Sequence, residues 1–282
     1  MKPQNLLPIL ALGFSLIFTS CKKEESTPAE TSEIETTFAL TADQAIADNL
    51  TEDANEVMLQ VSEEKELTGN FAGAPPETTN NFLCAIITVT PQNSFPKTVV
   101  IDFGTGCTAP NGVTRRGIIR IVISDSLKKS GSVAVMTFDN YYVNNFKKEG
   151  TITWTNTSTT ITTSWRREVV NGKITAPNGR FWLHSGIREI VQTHGVSSPR
   201  NPIDDIYSIT GNSTVTNANG RSRTTTILEP LQKKFICKYI DRGRIKIQGP
   251  NHFAILDFGN GQCDNEAIIS IDGQAPHTIT LP

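Results

Sequence analysis

Leu6–Phe18 is almost wholly apolar. The run has the length of a signal-peptide h-region and is shorter than the roughly 20 residues a membrane-spanning helix needs. A polar stretch follows, and then Ala45, Ile46, Leu50, Ala54, Val57, Met58 and Val61 recur at helical spacing, with Asp43, Asp48, Glu52, Asp53 and Glu56 on the other face. The spacing predicts a helix over Thr41–Val61. Thr41 is placed to cap it, and Gln44 stands three residues later, as in a capping box. A helix this polar is marginal alone in water, so its apolar stripe predicts docking on a larger apolar surface and a filled core beneath it.

Gly69–Pro76 reads as a Gly/Pro linker. Beyond it the period changes from 3.6 to 2. Lys97–Phe103 alternates Val99, Ile101 and Phe103 on one face, and Ile118–Ile123 is nearly continuously apolar. Val133–Phe146, Thr151–Trp154, Ser164–Val170, Arg180–His184, Ile187–Thr193, Ile206–Ile209, Ser213–Thr216 and Arg221–Ile227 continue the pattern. Ala267–Asp272 and His277–Leu281 close it. Five Asn-Gly dipeptides, at Asn111, Asn171, Asn178, Asn219 and Asn260, punctuate the strands as hairpin turns do. Nothing between strands is long or apolar enough for a βαβ crossover. The expected fold is therefore mainly β: a curved antiparallel meander sheet, or a sandwich, of about a dozen strands with one N-terminal helix packed on it.

The start of the chain adds an address. Lys2 precedes the apolar run, and Phe18-Thr19-Ser20-Cys21 ends it. This resembles the lipobox read by bacterial lipoprotein signal peptidase. The resemblance implies a signal peptide over residues 1–20, lipidation of Cys21, and attachment to a membrane through that lipid. Residues 21–37 are rich in Glu, Ser and Thr and are expected to be a flexible acidic tether. The Lys22-Lys23-Glu24-Glu25 segment is similar to the export tag of surface lipoproteins in Bacteroidota-type outer membranes. Residues 38–282 then form a single β-rich domain.

With Cys21 carrying lipid, Cys84, Cys107, Cys237 and Cys263 remain, an even number that points to disulfides in an exported chain. A weak internal repeat chooses the pairing. Residues 82–107 and 235–263 each read Phe-aliphatic-Cys, a loop, then aliphatic-Asp-Phe-Gly-x-Gly and a second Cys. Duplicated units keep duplicated bridges, so Cys84 is expected to pair with Cys107 and Cys237 with Cys263.

Formal net charge is only −2, but it is unevenly spread: residues 22–66 hold 13 acidic and 3 basic residues, and residues 67–282 hold 15 acidic and 22 basic. The asymmetry is expected to bring an acidic helix against a basic sheet in the same chain. The alternative is a basic domain facing an anionic polysaccharide. The basic residues are too dispersed to indicate nucleic acid.

No sequence motif assigns catalytic residues, a metal site or a cofactor. The histidines, His184, His194, His252 and His277, form no close metal-binding pair, and Asp-Phe-Gly appears without the other parts of a kinase. Trp154, Trp165, Trp182, Tyr141 and Tyr142 are candidate glycan-binding residues, provided that they reach an exposed sheet face. Ser126, in Asp125-Ser126-Leu127, matches a short O-glycosylation pattern. The lipobox, acidic segment, helix and β-strands, ending in a turn that runs Asp-Phe-Gly-x-Gly to Cys-Asp-Asn (Asp257–Asn265), together resemble Bacteroidota-type outer-membrane surface lipoproteins. That resemblance implies a lipid-anchored location at the outer membrane or cell surface and no activity. Three function classes follow. The first is a non-enzymatic protein that binds a polymer or an envelope protein, or serves the envelope structurally. The second handles lipid or another apolar ligand in a cavity between sheet and helix, and the third is a glycan-acting hydrolase.

Overall fold

The computed structural model describes residues 28–64, 67, 77–80, 84–198 and 202–282. The signal peptide, Cys21, the first residues of the expected tether, the whole Gly/Pro linker and Phe82-Leu83 of the repeat lie outside them. One helix, α1 (Pro28–Glu64), precedes fifteen strands: β1 (Glu77–Asn80), β2 (Ala85–Thr90), β3 (Lys97–Asp102), β4 (Cys107–Thr108), β5 (Thr114–Ile123), β6 (Val133–Val143), β7 (Phe146–Asn156), β8 (Ser164–Thr175), β9 (Phe181–His194), β10 (Ile206–Asn217), β11 (Ser222–Lys234), β12 (Arg242–Gln248), β13 (Phe253–Asn260), β14 (Glu266–Ile271) and β15 (His277–Thr280). All pairings are antiparallel. Fourteen strands follow one another in a single curved open sheet, and the short β4 pairs only with β5.

The meander arises from short-range turn chemistry. Asn178-Gly179 and Asn219-Gly220 form the tight turns between β8 and β9 and between β10 and β11. Asn171-Gly172 does not turn the chain. It lies inside β8, where Asn171 has φ 53° and the ladder to β9 shifts register between Val169 and Gly172. Gly150 of β7 approaches this bulge so closely that a Cβ there would lie 2.6 Å from the Asn171 carbonyl oxygen. Val133–Phe146, expected as one strand, is a hairpin folded at Asn144-Asn145, both with positive φ.

The helix differs from expectation at its start. It begins at Pro28, so residues 28–37 are its first turns and not tether. Thr41 is consequently no cap: it lies mid-helix, and its hydroxyl donates to the Thr37 carbonyl at 2.7 Å. Contacts with the sheet explain the extension. The Glu33 carboxylate accepts the Asn251 backbone N–H and side-chain amide at 2.8 Å each. Arg223 donates to Thr37 Oγ1 at 2.9 Å, and Phe38 meets the His277 ring edge-on at 5.6 Å. The propensity of this polar segment is weak, and tertiary partners make it helical.

α1 is also not laid flat on a sheet face. From Leu40 to Met58 almost every residue is buried, the acidic side as well as the apolar one. Its partners come from β5, β7, β8, β9 and β11. The sheet thus curls around the helix, and one hydrophobic cluster runs from Leu50, Val57 and Val61 to the inward residues of the strands, such as Ile121, Ile152, Ile190, Ile247 and Leu256.

Both expected disulfides are present: Cys84–Cys107 clips the β2–β3 hairpin and Cys237–Cys263 the β12–β13 hairpin. The repeat has a common local structure as well. In each copy the Asp carboxylate accepts the N–H of the Gly two residues on, Asp102 from Gly104 at 2.7 Å and Asp257 from Gly259 at 2.8 Å. Phe103 and Phe258 are buried beside these turns. The first Asp-Phe-Gly segment is therefore the turn that ends β3, and the second lies within the last residues of β13, where the ladder to β12 shifts register between Arg242 and Arg244.

Candidate functional site

Strands β7, β8 and β9 present two kinds of inward surface. On β9 the inward positions run Trp182, His184, Gly186, Arg188 and Ile190, and their neighbours across the ladders include Arg167 on β8 and Ser213 on β10. The cations of this middle zone meet the acidic side of α1. Arg115 makes a bidentate ion pair with Asp53, Nε to Oδ2 at 3.0 Å and Nη2 to Oδ1. Arg167 reaches Glu52 at 2.5 Å, Arg188 reaches Asp48 at 3.3 Å, Lys233 reaches Glu56 at 3.5 Å, and Arg180, half exposed, reaches Asp43 at 2.7 Å. Lys148 donates to Thr51 Oγ1 at 2.9 Å.

Electrostatics here are those of a nearly dry interior. Burial works against the Arg115 guanidinium, but the Asp53 carboxylate overrides it and pushes its pKa up. Burial raises the Asp43 and Glu56 carboxyls, against the pull of Arg180 and Lys233. Lys148 is drawn down to about 7, first by burial and then by Arg167. His184 is held well below its usual value by burial and by Lys148, Arg167 and Arg188, so it is neutral at pH 7. The basic surplus of residues 67–282 is therefore largely directed at the helix.

Toward the C-terminal end of α1 the same strands enclose a cavity of about 460 Å³, inside the roughly 300–1,000 Å³ range of small-molecule sites. Met58, Leu59 and Ser62 of the helix form one side. Trp154 and Asn156 at the end of β7 and Trp165 at the start of β8 form the next. They share a face because Asn156 stands opposite Trp165, and Trp154 opposite Arg167, in the ladder. Gln192, Val196, Asp205 and Tyr207, from the ends of β9 and β10 and the turn between them, complete the wall with Leu127 and Ser132.

The wall is rigid where it is polar. Asp205 accepts Gln192 Nε2 at 2.8 Å on one oxygen and the Tyr207 hydroxyl at 2.7 Å on the other, and burial raises its carboxyl. Asn156 donates to the Leu127 carbonyl at 2.7 Å and accepts the Ser158 N–H at 2.8 Å. Trp165 and Tyr207 meet edge-to-face at 6.2 Å, and the Arg167 guanidinium lies 5.2 Å from the Trp154 ring. Two polar atoms break this economy: Trp154 Nε1 and Ser132 Oγ are buried and find no hydrogen-bond partner among the described residues. A buried polar group left so costs about 1–3 kcal/mol.

The predicted glycan-binding residues thus separate. Trp154 and Trp165 come together in the cavity, and Tyr207, not singled out by sequence, joins them. Tyr141 and Trp182 are fully buried, Tyr141 with its hydroxyl toward Asp53 at 3.4 Å and Trp182 against Phe146 at 6.5 Å. They form core, not an exposed face. Tyr142 lies elsewhere, under the Arg116 guanidinium at 3.2 Å. Ser126 is half-buried in the turn before the cavity residue Leu127, its N–H donating to Asp125 Oδ1 at 2.8 Å. A second hollow of about 500 Å³ opens where β9 to β12 shift register, beside His194, Glu229 and Arg242. Among the described residues no three His, Cys, Asp or Glu side chains gather as a metal ion requires. Comparison of the chain with known protein families, with curated proteins and with solved structures finds no match.

Proposed function

We propose that this is a lipid-anchored envelope protein that binds a small amphipathic ligand, without transforming it, in the cavity at the C-terminal end of α1. The observation that carries this reading is the cavity itself, walled by Trp154, Trp165 and Tyr207 and backed by the helix residues Met58 and Leu59. Binding is favoured over hydrolysis because Asp205 is the one carboxylate among the described lining residues, and both of its oxygens are occupied, by Gln192 and by the Tyr207 hydroxyl. Location rests on the lipobox-like Phe18-Thr19-Ser20-Cys21 and the resemblance to Bacteroidota-type surface lipoproteins. Met58 is about 45 Å along the helix axis from Pro28, at 1.5 Å per residue.

A second reading, carriage of an apolar ligand, draws on Val196 in the wall and on Ile161 and Ile203, which are exposed and flank lining residues along the chain. One experiment addresses anchor and site together. Cys21→Ser should abolish palmitate labelling. The mature chain should then show saturable changes in tryptophan fluorescence with members of a glycan and lipid panel, and Trp165→Ala should remove them. Retained labelling in Cys21→Ser refutes the anchor. A panel without any response refutes the cavity as a binding site.

A further inference from the structure

The cavity is apolar at its floor and carries its free charge at the opening. Met58, Trp154 and Tyr207 are buried, and Leu59, Leu127 and Trp165 are half-buried. Lys128, Thr159 and Val196 are the exposed ones among the described lining residues. Polar groups on the wall are largely spent within the protein. Gln192 and Tyr207 both donate to Asp205, and Asn156 donates to the Leu127 carbonyl and accepts the Ser158 N–H. The Ser62 hydroxyl donates to the Leu59 carbonyl at 2.7 Å. Trp154 Nε1 and Ser132 Oγ are closed off from the space. What faces a ligand is mainly carbon, so burial of apolar surface drives binding there.

The space is also long. Its wall follows the same ends of five neighbouring strands: Ser132 just before β6, Trp154 and Asn156 on β7, Trp165 on β8, Gln192 on β9 and Tyr207 on β10. Neighbouring strands lie about 4.8 Å apart, so four spacings carry the wall about 19 Å along the curled sheet. A volume of about 460 Å³ spread along such a wall is narrow. That shape suits one unbranched chain better than a fused ring system. Val196 at the opening is aliphatic, and the exposed Ile161 and Ile203 flank lining residues along the chain.

We infer that the cavity seats the tail of a single-chain anionic amphiphile, with hydrocarbon against Met58, Trp154, Trp165 and Tyr207 and the anionic head at the opening beside Lys128. This rests on the cavity being the binding site and adds the chemical class of the ligand. Charge complementarity selects the head: Lys128 is the cation among the described lining residues, and the lining carboxylate of Asp205 is turned to Gln192 and Tyr207. The ammonium stands in solvent, so it orients the chain and adds less affinity than the buried tail.

The test titrates the mature chain by calorimetry and tryptophan fluorescence with octanoate, decanoate, laurate and myristate, each below its micelle concentration. Dodecanol, lauroyl lysophosphatidate and cellobiose are run in parallel, and the tighter of laurate and the lysophosphatidate tells a free fatty acid from a lysolipid. Affinity should rise about fourfold per methylene, the fold-change of one buried CH2, and level off once the cavity is full. Lys128→Gln should weaken laurate about threefold and leave dodecanol unchanged. Leu59→Trp, which fills the space, should abolish binding of every chain. Thermal melts establish that each variant is folded, and the exposed Lys128 and the chain-length series decide the matter should Leu59→Trp not fold. Affinity independent of chain length overturns the inference, as does laurate binding unchanged in Lys128→Gln or in a folded Leu59→Trp. Binding of cellobiose and of no chain also overturns it but leaves the cavity as a site. Binding of no probe overturns the site as well.

Discussion

The inward faces of β7, β8 and β9 meet α1 in two ways along their length. In the middle zone Lys148, Arg167 and Arg188 face Thr51, Glu52 and Asp48, and little is left open. At the helix C-terminal end Trp154, Trp165 and Gln192, on the same strands, face Met58 and Leu59 across a cavity. Position along the strand, not strand identity, separates the two. The contrast shows what each surface contributes. Buried ion pairs return little net stability, because desolvation offsets their attraction, but a carboxylate placed opposite the wrong residue is penalised heavily. Charge matching therefore sets the depth and rotation at which the helix sits. The aromatic end, which makes no such demand, is free to leave space for a ligand.

The sharpest way to break the contrast is to unpair one buried charge. Arg115→Met leaves Asp53 with only the Tyr141 hydroxyl and should cost about 3–5 kcal/mol, lowering Tm by roughly 10 °C at 2–4 °C per kcal/mol. The double variant Arg115→Met/Asp53→Leu should recover most of that loss in a calorimetric scan. A double variant no more stable than the single one would show that these pairs drive the fold and do not merely register it.

Truncation of an aromatic distinguishes the two zones directly. Trp182 is fully buried, and Trp182→Ala should cost about 3–5 kcal/mol. Trp165, at the cavity, is only partly buried, and Trp165→Ala should shift Tm by no more than about 2–4 °C, a cost near 1 kcal/mol. Equal losses in denaturant titrations would mean that the cavity end is ordinary core.

The smallest expected effect is a pH dependence. Lys148 titrates at about 7 in the folded chain and at about 10.4 in an unfolded one. Between these values the unfolded chain binds more protons, so this lysine makes stability rise with pH across that window. Below pH 7 both states carry the ammonium, and its burial penalty is felt in full. Lys148→Met should therefore raise Tm more at pH 6.5 than at pH 9. A Tm difference between variant and parent that does not change over that range would exclude a titrating amine in the interior.

Much of this molecule was legible before its structure. Helical spacing from Ala45 to Val61, alternation in the strands, Asn-Gly turns and the duplicated Phe-aliphatic-Cys units determined the helix, the antiparallel meander and both disulfide pairings. Each of these signals lies within one element or one hairpin, so local geometry suffices to read it. Two of the errors share one cause. β9 looked like two strands because its inward positions His184, Gly186 and Arg188 are not apolar. The first turns of α1 looked like tether because their side chains are polar. In both places a polar residue faces inward and finds a partner far away in the chain: Arg188 and Asp48 are 140 positions apart, Arg223 and Thr37 186. No periodicity records such distances. Charge asymmetry announced that an acidic segment would meet a basic one. Only the curvature of the sheet decided which carboxylate meets which cation, that Tyr141 and Trp182 would be core, and that Trp154, Trp165 and Tyr207 would enclose a cavity.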